Sequence, residues 1–397
     1  MLLLGLAASP TLAAADVPRP LKSATKANAA PKVKPPAPAK PANAAKPGPR
    51  AKAFRVLHSQ MNGLLAELAE LQMRYATASQ DQRSAILLQW KDLIAKGEKI
   101  EPKFVAAAED AYAEAPNADK QITDFLVLRL AENVHADDYE PAVKIGNLLM
   151  ENNCGRHEAP NLAGIAAFAV SDFDAAEKYL NQARTEGFYT TARKDDRLAV
   201  LGQIYLETIP HYKKAWAKEQ SIRRIEKEED NLPRVILKTT KGDITLELFE
   251  DQAPNTVANF ISLVERGFYN DLTFYHVAKG FVAQAGDPLG TGVGGPGYSI
   301  ACECYQPNHR EHFRGSLSMD NFGRDTGGSR FFLAFVPSPQ LDGKYTVFGR
   351  VIEGMDVLAK LQRRDPNDKE AARADKITEA KVDRKRPHAY KPQKMPE

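Results

Sequence analysis

The chain has 397 residues, a net charge of +3 and 43% hydrophobic residues. This length exceeds one ordinary hydrophobic core, and the composition is globular, so more than one domain is expected. The positive charge is concentrated in residues 17–53, which carry many basic and no acidic residues. Because that stretch has neither aromatic residues nor a recognition motif, we expect no nucleic-acid binding. An odd number of cysteines, 3, predicts no disulfide framework.

The first 15 residues form an apolar run that ends in Leu-Ala-Ala-Ala before Asp16. Residues 1–15 are therefore predicted to be a signal peptide, although the basic residues that usually open one are missing. The prediction places the protein outside the cytoplasm, in the periplasm or cell envelope; without a genuine signal it would be cytoplasmic. The run is too short to cross a bilayer and no later stretch is long enough, so no integral membrane span is expected.

Residues 16–53 consist mainly of alanine, proline and lysine. Such a composition cannot bury a core, proline keeps it extended, and like charges repel one another. We predict a disordered basic linker here.

A helical period begins at Phe54, where apolar residues recur every three or four positions as far as Tyr75. Ser79 is expected to cap a second helix and Pro102 to open a third. Residues 54–231 are therefore predicted to form an α-helical domain.

Two segments of this domain repeat, "DYEPAVKIGNLL" from Asp138 and "DFDAAEKYLNQA" from Asp172. Their separation is that of tetratricopeptide helix pairs, and Gly164 stands where two helices of such a pair approach closely. The region thus resembles a degenerate tetratricopeptide array, which implies a surface for a possible protein partner. The alternative is a plain helical bundle without a partner.

From Pro233 the apolar period changes to two, and a Lys-Gly-Asp turn at 241–243 predicts a β-hairpin. A helix is expected from Asn255 to Arg266, a second helix near residue 358, and a closing strand at 377–382. Many short strands with two helices predict a closed antiparallel β-barrel. The fold class is therefore multidomain α + β, with a barrel at 232–386 and a disordered tail at 387–397.

Five motifs in this region are specific to one family. They are "FYHVAKGFVAQAGD", "GTGVGGPGY", "RGSLSMDN", "GGSRFFLAF" and "LDGKYTVFGRV". The second lacks the Gly-Lys-Ser/Thr ending of a phosphate-binding loop and is expected to be a loop that needs positive φ. In order and spacing, the motifs of residues 234–386 resemble cyclophilins, the cyclosporin-binding peptidyl-prolyl cis/trans isomerases.

The resemblance implies an enzyme without a cofactor that acts on proline-containing polypeptides. A planar X-Pro amide resists rotation with a barrier of about 18–20 kcal/mol. A thousandfold acceleration requires lowering this barrier by only about 4 kcal/mol. An apolar pocket that holds the twisted amide, with a donor aimed at the prolyl nitrogen, can supply that. The implied function is isomerisation that assists the folding of exported proteins.

The family motifs also assign roles. Asn321 is expected to hold the substrate backbone and Gln284 to orient the catalytic donor. The remaining positions are expected to form the proline pocket, with a tyrosine at its rim: Phe281, Val282, Phe332, Leu341 and Tyr345.

His276 departs from the family, because active cyclophilins normally carry the catalytic arginine at this position. Arg330 departs as well, standing where a glutamine is usual, and Asp320 and Phe322 replace small residues, which should alter substrate preference. Three accounts follow: Arg330 restores the guanidinium, or His276 donates as a partly protonated imidazole, or the site binds proline peptides with little catalysis. The last would make the protein a proline-peptide-binding scaffold.

The stretch "CECYQPNHREH" offers four metal-ligand types, Cys302, Cys304, His309 and His312. Their spacing is not that of a zinc knuckle. A loop beside the barrel without a metal is the expected structure.

Overall fold

In the computed structural model, residues 48–193, 195–368 and 371–396 are described. The predicted signal peptide at 1–15 and most of the predicted linker lie outside the described residues. The described chain forms two compact units: one comprises 48–132, 144–160 and 183–191, and the other 133–143, 161–182 and 192 onward. The second unit therefore includes helical segments as well as the β domain. Its boundary differs from the predicted one, which lay at residue 232.

The part of the chain that the structure describes places eight helices before the first strand. They are α1 (Arg50–Thr77), α2 (Gln80–Glu114), α3 (Lys120–His135), α4 (Tyr139–Glu151), α5 (Ala159–Ala169), α6 (Phe173–Thr185), α7 (Phe188–Thr191) and α8 (Arg197–Glu229). None of the described helices has both the length and the apolar composition that crossing a membrane requires.

Two boundary predictions in this region were wrong. Helix α1 begins at Arg50, inside the predicted linker, and α2 continues through Pro102, where a new helix was expected. Proline removes one backbone donor and strains a helix. Here the buried side chains Trp90 and Leu93 before it and Phe104 after it lie on one continuous face, so packing keeps the helix intact.

Helices α1 and α2 form the core of the first unit. Phe104 of α2 stacks on Phe54 of α1 with 5.1 Å between ring centroids. Phe125 of α3 packs on Phe104 with 4.4 Å between centroids. The predicted cap at Ser79 is present, where the Gln82 side chain accepts a hydrogen bond of 3.1 Å from the Ser79 N–H. The apolar period of the sequence thus corresponds to a real helix interface.

The sequence repeat corresponds to a repeat of structure. Asp137 and Ser171, 34 residues apart, both have positive φ, 59° and 67°. In each copy the next N–H donates to the carbonyl five residues earlier, at 3.0 and 2.9 Å. Helices α4 and α6 begin at the following residues. The two copies therefore end one helix and start the next by the same turn.

Gly164 of α5 lies where α5 and α6 cross. A Cβ atom at this position would lie 2.5 Å from Cγ of Leu180, closer than side-chain carbons approach one another. The crossing therefore requires glycine, as the sequence led us to expect.

The β domain is one antiparallel sheet of eight strands in the order β3-β4-β6-β5-β7-β2-β1-β8. Its strands are β1 (Arg234–Thr239), β2 (Gly242–Leu248), β3 (His276–Val277), β4 (Val282–Ala285), β5 (Ser316–Met319), β6 (Phe331–Ala334), β7 (Val347–Glu353) and β8 (Ile377–Arg384). The predicted hairpin is confirmed, since Thr239 pairs with Gly242 at its turn. Strand β8 pairs with β1.

The prediction of a closed barrel was only partly right. The sheet is curled, but its ladders leave β3 and β8 as edges. Between these edges one isolated bridge joins Thr273 to Lys376, with hydrogen bonds of 2.9 and 2.8 Å on either side of it. Strand β3 has only two residues, so the ladder is too short for full closure.

Two α-helices accompany the sheet within the described residues after 233, α9 (Pro254–Glu265) and α10 (Met355–Lys360). Helix α9 ends at Glu265, and Gly267, two residues later, has a φ of 68°. Its Phe260 packs on the rings of Phe331 and Phe348, at centroid distances of 5.5 and 5.2 Å. The buried face of the sheet is thus filled by aromatic side chains beneath α9.

The tail beyond residue 386 was predicted to be disordered, but residues 387–396 pack on the β domain. Tyr390 is buried, and its hydroxyl donates to Glu250 at 2.8 Å. Asn255 accepts a 2.7 Å hydrogen bond from the Gln393 N–H. The composition gave no sign of this order because it depends on a carboxylate in a distant part of the chain.

Helix α8 is joined to the β domain by buried charges within the second unit. The Arg310 side chain, 1% exposed, donates twice to Glu219 at 2.7 Å and once to Glu226 at 2.5 Å. Arg350 of β7 contacts Glu226 at 3.2 Å. Removing one partner of such a network leaves an uncompensated charge in a dry interior.

We predict that Arg310→Met lowers the free energy of unfolding by about 3–5 kcal/mol, because two carboxylates lose their shared cation. Urea denaturation followed by circular dichroism measures it. The control is Lys238→Met, which breaks an ion pair to Glu379 whose side chains are 48% and 47% exposed. An unchanged midpoint in Arg310→Met would contradict the role assigned to this network.

Candidate active site

One row of cross-strand neighbours spans four strands of the sheet. His276 of β3 pairs with Gln284 of β4, which pairs with Phe332 of β6, which pairs with Ser318 of β5. Side chains alternate between faces along a strand, so these four residues share one face. Ala283 lies on the other face in the fully buried core.

The predicted pocket residues lie together on this face. Val282 and Phe332, each 3% exposed, and Leu341, 8% exposed, form one apolar cluster. The partly buried Phe281 and Tyr345 pack against it. The Tyr345 ring meets Phe332 edge-on, 5.4 Å between centroids. All five predicted side chains thus form a single apolar surface with an aromatic rim.

His312 supports this surface from behind. Its ring stacks on Phe332 at 5.8 Å with 14° between the planes. Its Nδ1 lies 2.7 Å from a carboxylate oxygen of Asp342, the residue that follows Leu341. Sequence reasoning offered His312 only as a metal ligand; its packing role depends on a contact between loops far apart in the chain.

Asn321 fastens the loop beside the pocket rim. Its amide nitrogen donates to the carbonyl of Lys344 at 3.1 Å, and its side-chain oxygen accepts from Gly323 N–H at 3.0 Å. Lys344 precedes Tyr345. The structure therefore places Asn321 next to the pocket.

His276 and Gln284 are directly hydrogen-bonded. His276 Nδ1 lies 2.5 Å from the Gln284 side-chain oxygen, and the Gln284 amide nitrogen donates to Asp320 at 3.4 Å. Because the carboxylate requires the amide nitrogen on its side, the amide oxygen faces His276. That oxygen can only accept, so neutral His276 carries its proton on Nδ1. Neutral Nε2 is then an acceptor, and it becomes a donor only when the imidazole is protonated.

Asp320 is the centre of the polar part of the site. One of its oxygens accepts from Gln284 and from the Tyr275 hydroxyl, at 3.4 Å each, and lies 3.3 Å from Arg330 Nε. Burial raises the pKa of Asp320, and the Arg330 charge partly offsets that effect. Sequence reasoning expected Asp320 only to alter substrate preference. Its pairing with Arg330, which also departs from the family, was not predicted.

The strand register explains why Asp320 and Arg330 meet. Met319 and Phe331 are a cross-strand pair of β5 and β6, so the residues just beyond them face one another. The Asp320 N–H donates to the Arg330 carbonyl at 2.9 Å. Two residues that depart from the family pattern therefore contact each other directly.

Arg330 is buried, 4% exposed, and two of its three guanidinium nitrogens contact protein groups. One terminal nitrogen donates to the carbonyl of Gly292 in the glycine-rich loop. The guanidinium carbon lies 3.7 Å from the ring centroid of Phe322, which covers it and is 69% exposed. The structure therefore places the arginine beneath an aromatic ring and beside Asp320.

The glycine-rich loop is shaped by one carboxylate, as expected of a loop that needs positive φ. Gly290 and Gly292 have φ of 66° and 88°. Asp287 accepts from the N–H groups of Leu289 at 2.7 Å and Thr291 at 2.9 Å. Burial opposes ionisation of Asp287, but these backbone donors outweigh it and lower its pKa.

The four residues that the sequence offered as an alternative metal site, Cys302, Cys304, His309 and His312, do not form a group with metal-like spacing. Among the described residues, the donor group with metal-like spacing is His211, Glu311 and Asp342, within 4.8 Å of one another. Burial and the charge of Asp342 raise the pKa of Glu311.

Comparison with known proteins identifies the family of the β domain. Residues 234–382 match the family model described as cyclophilin type peptidyl-prolyl cis-trans isomerase/CLD. A peptidyl-prolyl cis-trans isomerase of Helicobacter pylori is 51% identical over 150 residues, which are 36% of this chain and 91% of that protein. Peptidyl-prolyl cis-trans isomerase B of Bacillus subtilis is 49% identical over 122 residues, 31% of this chain and 85% of the relative.

A Cryptosporidium parvum cyclophilin crystallised in the presence of the dipeptide Ala-Pro is 33% identical in sequence. That comparison covers 38% of this chain and 98% of the other, with a TM-score of 0.35. On the sequence relatives and the family model, the chain belongs to the cyclophilin-type peptidyl-prolyl cis-trans isomerases.

We predict that long-range ¹H–¹⁵N NMR will find neutral His276 as the Nδ1–H tautomer, because its Nδ1 faces an oxygen that can only accept. His135 serves as an internal reference with the opposite tautomer, because its Nδ1 accepts a hydrogen bond from the Lys279 ammonium at 2.7 Å. Gln284→Leu should remove the preference. Finding neutral His276 with its proton on Nε2 would contradict the hydrogen-bond chain.

Proposed function

We propose that this chain isomerises X-Pro bonds in polypeptides and that protonated His276 is the donor to the prolyl nitrogen. The observation that carries the proposal is the apolar cluster of Val282, Phe332 and Leu341 beside the hydrogen-bonded pair His276 and Gln284. The cluster can hold the proline ring while the imidazole stabilises the twisted amide. No cofactor takes part.

The contacts of Arg330 favour His276 as the donor. The guanidinium already pairs with Asp320, donates to Gly292 and lies under Phe322. To reach a substrate it would have to break a buried ion pair, which leaves a carboxylate uncompensated. His276 is only partly buried, and its Nδ1 alone is occupied by Gln284. We therefore assign Arg330 to holding Asp320 and the loops around it.

The same arrangement allows catalysis with a weaker donor. A charge-assisted hydrogen bond contributes about 1.5–3 kcal/mol, so its loss costs roughly 10- to 150-fold in rate. A neutral His276 cannot make this charge-assisted hydrogen bond, so only the apolar pocket would contribute to catalysis. A proline-peptide-binding scaffold with little turnover is therefore the limiting behaviour at high pH.

We predict that kcat/KM for a short proline peptide rises as the pH falls. Protonation of the imidazole turns Nε2 into a donor, so more molecules carry a competent donor at low pH than at high pH. Exchange NMR on the full chain, with the uncatalysed rate subtracted at each pH, measures this. His276→Ala should lose the pH dependence and about tenfold or more of the activity at low pH.

Two results would overturn parts of the proposal. A flat pH profile, with activity abolished in Arg330→Lys, would assign the donor to Arg330. No acceleration by the wild type at any pH, with peptide binding retained, would leave only the scaffold function.

Phe322 makes substrate selection by aromatic contact a further part of the proposal. Its ring is 69% exposed, is held in place by Arg330, and follows Asn321 beside the pocket. An exposed ring fixed next to a peptide site offers a flat apolar face to a neighbouring side chain. We infer a preference for peptides with a bulky apolar or aromatic residue next to proline.

We predict that Phe322→Ala reduces the preference for a Phe-Pro over a Gly-Pro peptide, measured as the ratio of kcat/KM values, by roughly three- to tenfold. Tyr305→Ala is the matched control. Tyr305 is also exposed, at 49%, and has an arginine, Arg324, 4.7 Å from its ring centroid. A ratio that changes equally in both variants, or in neither, would contradict selection by Phe322.

We also propose that the helical region recruits a protein partner or client and that the protein assists the folding of exported proteins. The repeated turn at Asp137 and Ser171 supports a tetratricopeptide-like reading of that region. The apolar run at residues 1–15 supports export to the periplasm or cell envelope.

A further inference from the structure

The turn between α3 and α4, residues 135–140, lies against the β3–β4 hairpin within the second compact unit. This hairpin carries His276 on one strand and leads into Phe281 at the start of the other. Its turn, residues 278–281, is closed by a 3.1 Å hydrogen bond from the Phe281 N–H to Ala278. Whatever fixes this turn therefore fixes two residues of the candidate active site.

The helical turn contacts the hairpin directly. The Lys279 ammonium donates to His135 Nδ1 at 2.7 Å. Asp137 is fully buried, and its carboxylate lies 3.8 Å from where a Cβ atom on Gly280 would stand. The hairpin turn is thus held on its outer side by two residues of the helical repeat.

A second set of contacts leads from Asp137 to Phe281 through the β domain. Asp137 accepts from Arg363 at 3.1 and 2.6 Å. The Arg363 guanidinium lies 4.6 Å from the ring centroid of Phe335, whose N–H donates to the Phe281 carbonyl at 2.8 Å. Arg314 joins the same parts, donating to the carbonyls of Phe335 at 2.7 Å and Asp137 at 3.2 Å.

Charge explains why Asp137 matters more than its neighbours. Burial and the positive charges of Arg197 and Arg363 disfavour the charged form of Lys279, whereas Asp137 favours it; the net result is a lowered pKa. Without the negative charge of Asp137, the repulsion among Lys279, Arg197 and Arg363 would be less compensated. The hairpin turn would then be pushed away from the helical turn.

We propose that Asp137 is a positioning residue of the isomerase, which holds the β3–β4 hairpin so that His276 and Phe281 keep their places. The proposal rests on the proposed function of that site. It makes the repeat of the helical region part of the structural support of catalysis. A partner that pulled residues 135–140 away from the hairpin would lower turnover.

The test is Asp137→Asn in the full chain. Asparagine keeps the shape and tolerates the positive φ of 59°, so the variant removes charge with little backbone strain. We expect kcat/KM for a proline peptide to fall about tenfold, as for a lost charge-assisted contact. Amide NMR signals of Lys279, Gly280 and Phe281 should shift with it.

Glu219→Gln is the matched control. Its carboxylate is also buried, 5% exposed, and binds Arg310, which lies outside the hairpin. We expect a lower denaturation midpoint, with unchanged hairpin amides and unchanged kcat/KM per folded molecule. If Asp137→Asn fails to fold, Arg363→Lys provides the second test. Lysine keeps the positive charge but cannot form the two hydrogen bonds that Arg363 donates to Asp137.

The outcomes separate the two proposals. A folded Asp137→Asn with wild-type kcat/KM and unshifted hairpin amides overturns the positioning role. A wild type without turnover overturns the proposed function, and the hairpin amides then decide the positioning claim alone. Equal losses of kcat/KM in Asp137→Asn and Glu219→Gln would show general destabilisation and would also overturn it.

Discussion

The Asp320 carboxylate is the interaction on which the rest of the site depends. A partly buried charge is tolerated only if donors surround it. Here Tyr275, Gln284 and Arg330 converge on one of its oxygens. This arrangement directs the Gln284 oxygen towards His276 and keeps the guanidinium in place. A position that the family usually fills with a small residue therefore fixes how Gln284 and Arg330 are oriented.

Two residues that depart from the family pattern, Asp320 and Arg330, compensate for each other. The strand register brings Asp320 and Arg330 together, and their pairing neutralises the added arginine. The contacts of Arg330 therefore do not favour it as a substitute for the missing catalytic arginine. On the proposed function an imidazole at His276 supplies the donor instead, and its dependence on protonation would link catalysis to pH.

Local patterns predicted much of the molecule. The period-two segments predicted the first hairpin, and the motifs selected five side chains that pack into one apolar cluster, because family spacing encodes the strand register. The continuation of α2 through Pro102, the incomplete closure at β3 and the ordered tail were not predictable. Each depends on contacts between distant segments, such as Tyr390 with Glu250. The same holds for the buried contacts that bind helical segments to the β domain.

The most direct test of this account is to saturate the ¹⁵N-labelled full chain with a proline peptide and follow its side-chain nitrogens. If His276 is the donor, its imidazole nitrogens will move towards the positions of the protonated ring, while the Arg330 guanidinium signals stay in place. Large shifts of the Arg330 signals with an unaltered His276 would contradict the account.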